Sequence, residues 1–465
     1  MRRFTLGLLA AGLALIGAGC AYYNGMYNAN KFAREAAQSE RAGRMDEARD
    51  RWRTAATHAE SLTVRHPASR WVSDALLVEG RAFVHLGGDA EAVPVLAQAV
   101  QRARSAEQRH EALVLLGRAN LALGRLAEAR RSLDAALGDS ARALDGEALL
   151  LRGRALLGLG LADAAIADFR ASSDPRAAMD LGAAEIAGGD TADAGALYDS
   201  LAQREPYAEA DWRAALGRLA AAGAGTRAAA LVDTLAARRD LTPGERARLL
   251  LDDAARRLAR GDTAGASDRL GTVAVVAPDS VEAFTAGIGL AQIAIATASA
   301  DTDLAAARDR LRRLILAGGT AGQDARALLR VIALVDTLGA AQTAPDAYWF
   351  LRAEVLRDSL HAPRLAAADF ADMARRFPAS PWTPKGLVAA IATGYPRADS
   401  LRALLQRRYA TSPYTLAAAG AGGGAEAFAA LEDSLRQTLA RSARRVGGDS
   451  TRARLGPDIG PPSPR

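Results

Sequence analysis

One sequence pattern occurs three times between residues 74 and 171: DALLVEGRAFVHLGGDAEAVPVLAQ (74–98), EALVLLGRANLALGRLAEARRSLDA (111–135) and EALLLRGRALLGLGLADAAIADFRA (147–171). Each copy has an apolar segment, a break centred on glycine, and a second segment rich in alanine. The break glycines are Gly87, Gly124 and Gly160, which lie 37 and then 36 residues apart. A fixed period in this range with two helices per unit indicates a helical repeat array.

Three further positions match when the copies are aligned on these breaks. The first helix carries a glycine near its middle, the second helix carries an alanine, and a large apolar residue follows that alanine four positions later. These residues are Gly80, Gly117 and Gly153; Ala92, Ala129 and Ala165; and Leu96, Leu133 and Phe169. Small residues let crossing helices approach, and a large residue fills the space beside them. Because one unit buries too little apolar surface alone, we expect the units to stack into an all-α solenoid.

This pattern resembles the tetratricopeptide repeat family, whose units carry small and large residues at these offsets. The pair Leu116-Gly117, together with Ala129, Leu133 and Ala136, carries the resemblance. The tryptophan and tyrosine usual in the first helix of that family are mostly replaced here. The resemblance implies a right-handed solenoid in which the first helices line a concave groove that binds protein or peptide partners.

An acid and an arginine lie seven residues apart in the first helix of each copy. The sets are Asp74 with Arg81, Glu111 with Arg118, and Glu147 with Arg154. Seven residues are two helical turns, so each set shares one helix face. The resemblance places that face in the groove, where an arginine row would bind the carboxylates of a partner. Alternatively, each arginine pairs with the acid of the neighbouring unit and holds the stack together.

The first 19 residues have the order of a secretory signal. Arg2 and Arg3 precede an apolar run, residues 4–16, and then Gly17-Ala18-Gly19. The run is too short to span a membrane comfortably. Cys20, the only cysteine, follows directly, so the segment resembles a bacterial lipoprotein signal in which Cys20 becomes the lipidated first residue. An ordinary cleaved signal with an incidental cysteine is the alternative.

The resemblance to lipoproteins also implies a location. More than one acyl chain on Cys20 suffices for stable anchoring in a membrane. Ala21 follows the cysteine, whereas an aspartate at this position marks inner-membrane retention in such lipoproteins. We therefore expect the protein on the outer membrane, anchored by lipid and facing the periplasm.

Seven segments are predicted along the chain, with further breaks in the array at Gly189, Gly225 and Gly261, 36 residues apart. They are a signal peptide (1–19), a tether (20–31), a tetratricopeptide-like array (32–280), degenerate helical repeats (281–343), C-terminal tetratricopeptide-like repeats (344–419), a linker with the last helix (420–443) and a disordered basic tail (444–465).

Composition and motifs argue against several functions. The net charge of +6 is confined to the two ends, which leaves residues 4–435 at about −1 and does not indicate a nucleic-acid groove. The five histidines lack metal-ligand spacing, and Asp252-Asp253 are expected to begin or flank a helix. A hydrolase is a third hypothesis, for which no nucleophile, base and orienting group can be nominated. We expect no enzyme activity, cofactor, metal or small-molecule substrate.

A phrase between repeats recurs three times, as RHPASRW (65–71), RFPASPW (376–382) and RYATSPY (408–414). The serine is expected to cap the next helix, and the aromatic residue to pack on the preceding unit. The phrase resembles links in the lipoproteins of outer-membrane-protein assembly and related envelope coordinators. That resemblance implies a scaffold for envelope proteins or peptide segments, in outer-membrane assembly. The alternative is an accessory regulator of peptidoglycan synthesis that binds a cell-wall enzyme or glycan.

Overall fold

The computed structural model describes residues 22–138, 145–420 and 425–446. Every regular element in these ranges is helical, which confirms the all-α repeat fold. The predicted signal, Cys20 and the predicted tail beyond residue 446 lie outside the described residues. Within those residues, no helix has the length and hydropathy required to cross a bilayer.

The helices follow one another with short connections, and turns of π- and 3-10 helix lie at Tyr22–Tyr27 and Asp301–Asp303. The α-helices are α1 (Asn28–Arg41), α2 (Met45–Arg65), α3 (Val72–Leu86), α4 (Asp89–Arg102), α5 (Ala106–Ala122), α6 (Leu126–Leu137), α7 (Gly146–Gly158), α8 (Ala162–Ala171), α9 (Ala177–Ala187), α10 (Thr191–Arg204), α11 (Glu209–Ala221), α12 (Gly225–Ala236), α13 (Pro243–Ala259), α14 (Thr263–Val276), α15 (Val281–Thr297), α16 (Leu304–Ala317), α17 (Gly319–Gly339), α18 (Pro345–Asp358), α19 (Pro363–Arg376), α20 (Trp382–Ala392), α21 (Ala398–Arg408), α22 (Pro413–Ala418) and α23 (Ala425–Val446).

The breaks between paired helices are set by glycine in the left-handed backbone region. Gly87, Gly124 and Gly160 have φ between 71° and 76°, a conformation that costs other residues about 1–2 kcal/mol. The break predicted at Gly225 is wrong by two residues. Gly223 has the positive φ, of 85°, and Gly225 begins α12.

Glycine in the first helix of a repeat contacts a large side chain of the second helix. A Cβ added at Gly117 would lie 2.6 Å from Cγ of Leu133, and one at Gly153 would lie 2.6 Å from Cε1 of Phe169. The same close approach joins Gly80 to Leu96. Because a methyl group has no room at these crossings, the glycines are required by packing, as the sequence predicted.

The described chain forms two compact units, which divide between Leu235 and Ala236. From α1 to α10, each first helix packs on its own second helix and also on the first helix of the next repeat. The first helices α3, α5, α7 and α9 therefore form a continuous layer. This layer carries all six charged residues selected from the sequence.

The predicted tether at residues 20–31 is not an extended link in its described part. Residues 22–27 form the π-helical turn, and α1 begins at Asn28. Met26 is 2% exposed, and Gly25 lies against the side chain of Leu62 on α2. The apolar methionine and the small glycine pack this segment onto the first repeat, because burial of Met26 favours contact over extension.

In the second unit, helix pairs alternate until one helix interrupts them. Helix α17 packs on α15, α16 and α18, so it lies between the pair α15/α16 and the pair α18/α19. This extra helix explains why the repeat pattern blurs between residues 281 and 343. The predicted last helix ends at Val446 rather than 443, so residues 444–446 of the predicted tail are helical.

The serine of the recurring phrase does not cap its helix as predicted. Ser69 and Ser380 lie before the N-cap residues, and their hydroxyls accept hydrogen bonds from the backbone N–H of Trp71 and Trp382 at 3.3 and 3.1 Å. Ser412 is an N-cap by position, but its hydroxyl makes no capping hydrogen bond. In the first two copies of this recurring phrase, the serine therefore stabilises the turn that precedes the helix.

Candidate functional site

The first-helix layer of residues 72–187 carries a ladder of charged side chains, which we call the charge ladder. Each arginine of the ladder points to the acid of the next repeat. Arg81 binds Glu111, Nη1 of Arg118 lies 3.8 Å from Oε1 of Glu147, and Nε of Arg154 donates to Oδ2 of Asp180 at 2.7 Å. The alternative in which arginine pairs with the neighbouring unit is therefore the arrangement in the structure.

Asp180 is a member of the charge ladder that the sequence pattern missed. In the third copy, Glu147 stands six residues before the first-helix glycine, Gly153. The fourth repeat is shorter, and six residues before its glycine, Gly182, stands Arg176, which pairs with Asp174 at 2.6 Å. Asp180 lies one helical turn later on the same face. A search one turn from the expected position would have found it.

Asp74 begins the ladder, and among the residues that the structure describes no ion pair joins it to an arginine of the preceding repeat. Its Oδ1 accepts a hydrogen bond from Nε2 of Gln108 at 3.2 Å. Burial raises the pKa of Asp74, while the charge of Arg104 acts in the opposite direction. The structure thus brings all six predicted residues onto the first-helix layer and links each to a neighbouring repeat.

The side chains of the ladder remain accessible. Arg81, Arg118 and Arg154 are 32%, 43% and 36% exposed in their side chains. Ion pairs that are this exposed contribute about 0–1 kcal/mol each. A partner carboxylate can therefore replace an internal one at low cost, so pairing within the ladder does not prevent partner binding.

A second set of four ion pairs joins the two helices inside one repeat, and three of the four are more buried than the charge ladder. The members are Glu35–Arg51, Arg152–Asp168, Asp253–Arg269 and Arg352–Asp369, each 16 or 17 residues apart. Arg152 donates to both oxygens of Asp168 at 2.7 Å. The carboxylate of Asp253 is 1% exposed and also accepts from Arg257 at 2.9 Å. The pairs of Arg152, Asp253 and Arg352 are structural, because at least one partner of each is nearly inaccessible to solvent. Glu35 and Arg51 remain 32% and 37% exposed in their side chains.

The prediction that Asp252 and Asp253 begin or flank a helix is wrong. Both lie within α13, Pro243–Ala259. Adjacent residues point to different sides of a helix. Asp253 therefore enters the space between α13 and α14, while Asp252 lies on the side of α13 that faces α15 and α17. The pair therefore does not act as two adjacent carboxylates.

Histidine and tryptophan residues take structural positions. Nε2 of His110 lies 2.7 Å from Oδ2 of Asp145, and its Nδ1 lies 3.1 Å from the carbonyl oxygen of Ala136. His85 stacks on Trp52 with ring centroids 4.4 Å apart, and burial lowers its pKa against the opposing effect of Glu40. Among the described residues, no group of three or more potential ligands could hold a metal ion.

A groove in the second unit is a separate feature that no sequence pattern indicated. It has a volume of about 390 Å³ and lies between α13, α15 and α17. Leu258, Ile288 and Ala321 form apolar walls, and Asp252 and Asp324 border it. The lining residues come from four helices spread over more than 60 positions, which is why local periodicity does not reveal them.

No family model and no curated protein matches the sequence. The fold resembles a tetratricopeptide repeat protein from Parabacteroides merdae, with a TM-score of 0.39, 16% identity, and coverage of 54% of this chain and 94% of that chain. It also resembles the C-terminal part of a tetratricopeptide-repeat protein from Cytophaga hutchinsonii, with a TM-score of 0.31, 12% identity, and coverage of 68% and 98%. At these values the likenesses support no inference about what this chain binds.

Proposed function

We propose that this protein is a lipid-anchored periplasmic scaffold that binds envelope proteins or peptide segments, in outer-membrane protein assembly. The observation that supports the proposal is the charge ladder, a row of half-exposed arginines and carboxylates along one layer of packed helices. The fold holds the row at a fixed spacing, because each first helix packs on the next. A rigid row of this kind can bind an extended or helical partner with acidic side chains.

The chemistry of binding is an exchange of carboxylates. Each guanidinium presents donors in a planar fork that fits a carboxylate. In the free protein, Arg118 and Arg154 face Glu147 and Asp180. A partner carboxylate displaces one of these, and the released acid then repels like charges, so the ladder also selects the sign and spacing of the partner's charges.

A charge swap separates binding from stacking. Arg118→Glu alone breaks the pair with Glu147, whereas Arg118→Glu combined with Glu147→Arg restores an opposite-charge pair in reversed order. If the ladder binds a partner, both the single and the double variant should capture at least about tenfold less of the envelope partners in a pull-down from solubilised envelope. The double variant keeps the melting temperature of the wild type.

The matched control exchanges a pair away from the layer. Glu128 and Arg131 lie 3.0 Å apart on α6, a second helix. Swapping their charges should leave capture and melting unchanged. Full capture by the double variant at 118 and 147 would show that the ladder serves only to stack the repeats, and it would overturn the proposed site.

The location is tested through Cys20. In cells fed labelled palmitate, the wild-type chain should carry label and sediment with the outer membrane, and the Cys20→Ser chain should carry none. Wild-type protein that carries no palmitate label would exclude the lipid anchor.

Crosslinking in intact cells separates the two proposed pathways. Capture of a β-barrel assembly protein supports a role in outer-membrane assembly, and capture of a murein synthase supports the regulator of peptidoglycan synthesis.

A further inference from the structure

A lysine in the second unit lies inside a wall of aromatic rings. Nζ of Lys385, on α20, is 5.2 Å from the ring centre of Phe350, 5.6 Å from that of Trp382 and 5.9 Å from that of Tyr414. The side chain is 23% exposed. Rings at these distances stabilise an ammonium group and hold it in place. Lys385 is therefore a positioned cation and not a mobile surface lysine.

One carboxylate fills the space in front of this cation. Both oxygens of Glu432, on α23, lie near Nζ of Lys385, at 2.9 and 3.0 Å. The hydroxyl of Tyr414 also donates to Glu432. Burial acts to raise the pKa of Glu432, but the hydrogen bonds from Tyr414 and Lys385 outweigh it, and its pKa is lowered. Two donors from different helices thus converge on a single carboxylate.

Apolar residues on the same face of α23 complete the contact. Phe428 meets Tyr414 edge to face, with ring centres 5.2 Å apart, and Leu435 is 3% exposed. Leu431 packs against the same core. Residues 428, 431, 432 and 435 follow the i, i+3, i+4, i+7 spacing of one helix face. The contact therefore uses one helix face with a phenylalanine four residues before a glutamate and a leucine three residues after it.

The contact is local. The most extensive packing of α23 on another helix is with α22, a helix of six residues. Residues outside this face carry exposed charge, since the side chains of Asp433 and Arg436 are 69% and 68% exposed. The affinity of α23 for this surface therefore depends on one carboxylate and a few apolar side chains, which a second helix can supply equally well.

We propose that the surface formed by Lys385 and Tyr414, with Phe350 and Trp382 buried beneath it, is a receptor for an amphipathic, acidic helix of a partner protein, and that α23 occupies it within the same chain. A partner helix with the Phe-x-x-Leu-Glu-x-x-Leu pattern displaces α23 by presenting its own glutamate to Lys385 and Tyr414. The receptor surface is independent of the charge ladder and of the lipid anchor, so its test does not depend on the proposed function.

The test uses the full-length protein and a fluorescent peptide with the sequence of residues 425–446. Peptide binding is measured by fluorescence anisotropy. Glu432→Lys places a cation against Lys385 and weakens occupation by α23, so this variant should bind the peptide at least about tenfold more tightly than the wild type. Asp433→Lys changes an exposed residue of the same helix and should bind as the wild type does.

Two further variants test the receptor itself. Adding Lys385→Gln to Glu432→Lys should lower peptide affinity by about tenfold, and adding Tyr414→Phe should lower it by about threefold while keeping the ring. A peptide with glutamine at the position of Glu432 should bind weakly to every variant. Circular dichroism checks that each variant is folded, and Tyr414→Phe keeps the test valid if Lys385→Gln unfolds.

Three outcomes would overturn the proposal. The first is equal affinity of Glu432→Lys and wild type for the peptide, which would make α23 a permanent cap. The second is affinity that does not depend on Lys385 or Tyr414. The third is a wild-type dimer in light scattering that Lys385→Gln abolishes, which would assign the surface to α23 of a second copy.

Discussion

The helix pairs α5/α6 and α15/α16 use the same contact at different sequence distances. In both, a glycine of the first helix faces a leucine of the second: Gly117 faces Leu133, and Gly287 faces Leu314. The partners are 16 residues apart in the first pair and 27 apart in the second. The pair α5/α6 turns at Gly124, whereas α15/α16 turn through residues 298–303, which include the 3-10 turn.

The difference shows what the repeat period measures. The crossing point of two helices requires a small residue opposite a large one. The period depends in addition on how far the crossing lies from the turn that joins the helices. Gly117 lies five residues before the end of α5, and Gly287 lies ten residues before the end of α15, so more residues separate the second glycine from its leucine. Packing is retained where the sequence period is lost.

The largest expected effect comes from removing the leucine at each crossing. Leu133 is fully buried, and Leu314 is 8% exposed. Leu133→Ala should lower the free energy of unfolding by about 3–4 kcal/mol, and Leu314→Ala by about 2 kcal/mol, because the first leaves the more enclosed cavity. Hydrogen exchange measured by mass spectrometry assigns each loss to its own unit, since the chain has two.

The glycines supply the control for this comparison. Gly117→Ala alone should destabilise by about 1–3 kcal/mol, since the new methyl group meets Leu133. In the Leu133→Ala background the same substitution should cost little. Additive losses in the double variant would mean that the glycine and the leucine do not share one contact.

A smaller change in the free energy of unfolding is expected from a substitution at Glu79. This residue lies in the repeat of α3 and α4, which lacks, among its described residues, the buried ion pair that joins the two helices in other repeats. Glu79 stands at the position of Arg152 relative to the break, and Val95 stands at the position of Asp168. Glu79 is 6% exposed, and its Oε2 has no hydrogen-bond partner. Burial, and to a lesser extent the charge of Glu60, raises the pKa of Glu79 to about 7.

The raised pKa fixes the sign of a pH dependence. The folded state binds the proton more tightly than the unfolded state, whose pKa is near 4.5. The protonated form thus contributes stability below pH 4.5, and this stability is lost as the pH rises through 7. Glu79→Gln should therefore gain about 1–2 kcal/mol over the wild type at pH 8 and almost nothing at pH 4.5. Urea denaturation at both pH values measures the difference.

The exposed Glu107 gives a matched substitution for that experiment. Glu107→Gln should change stability by less than about 0.5 kcal/mol at either pH. An equal response of the two variants would show that Glu79 ionises freely in the folded protein.

The smallest changes in stability are expected from exposed ion pairs that join neighbouring first helices, one pair within each unit. Nη1 of Arg118 lies 3.8 Å from Glu147, and Nη1 of Arg248 lies 3.2 Å from Glu282. Each arginine is more than 40% exposed in its side chain. Arg118→Ala and Arg248→Ala should each cost less than about 1 kcal/mol in thermal unfolding at 0.15 M salt. A larger loss at Arg118 would make the charge ladder a main source of stability.

The candidate site was only partly predictable from the sequence. The seven-residue spacing predicted that acid and arginine share a face, and the structure places all six residues on the first-helix layer. The spacing left open whether the partner of Arg118 is Glu147 or a bound protein, because the distance between neighbouring repeats depends on packing. Lys385 and Glu432 were missed, since 47 residues separate them and no periodic pattern relates them.

The sequence by itself determined the helices, their breaks and the crossing residues in the clean repeats. These features depend on local forces: a left-handed glycine at Gly124, and helix-forming residues on either side of it. Only the tertiary structure decided where α17 lies, which acid meets Arg154, and that α23 covers Lys385. Those contacts join helices whose separation along the chain varies, and their energies depend on burial that exists only after the helices have packed.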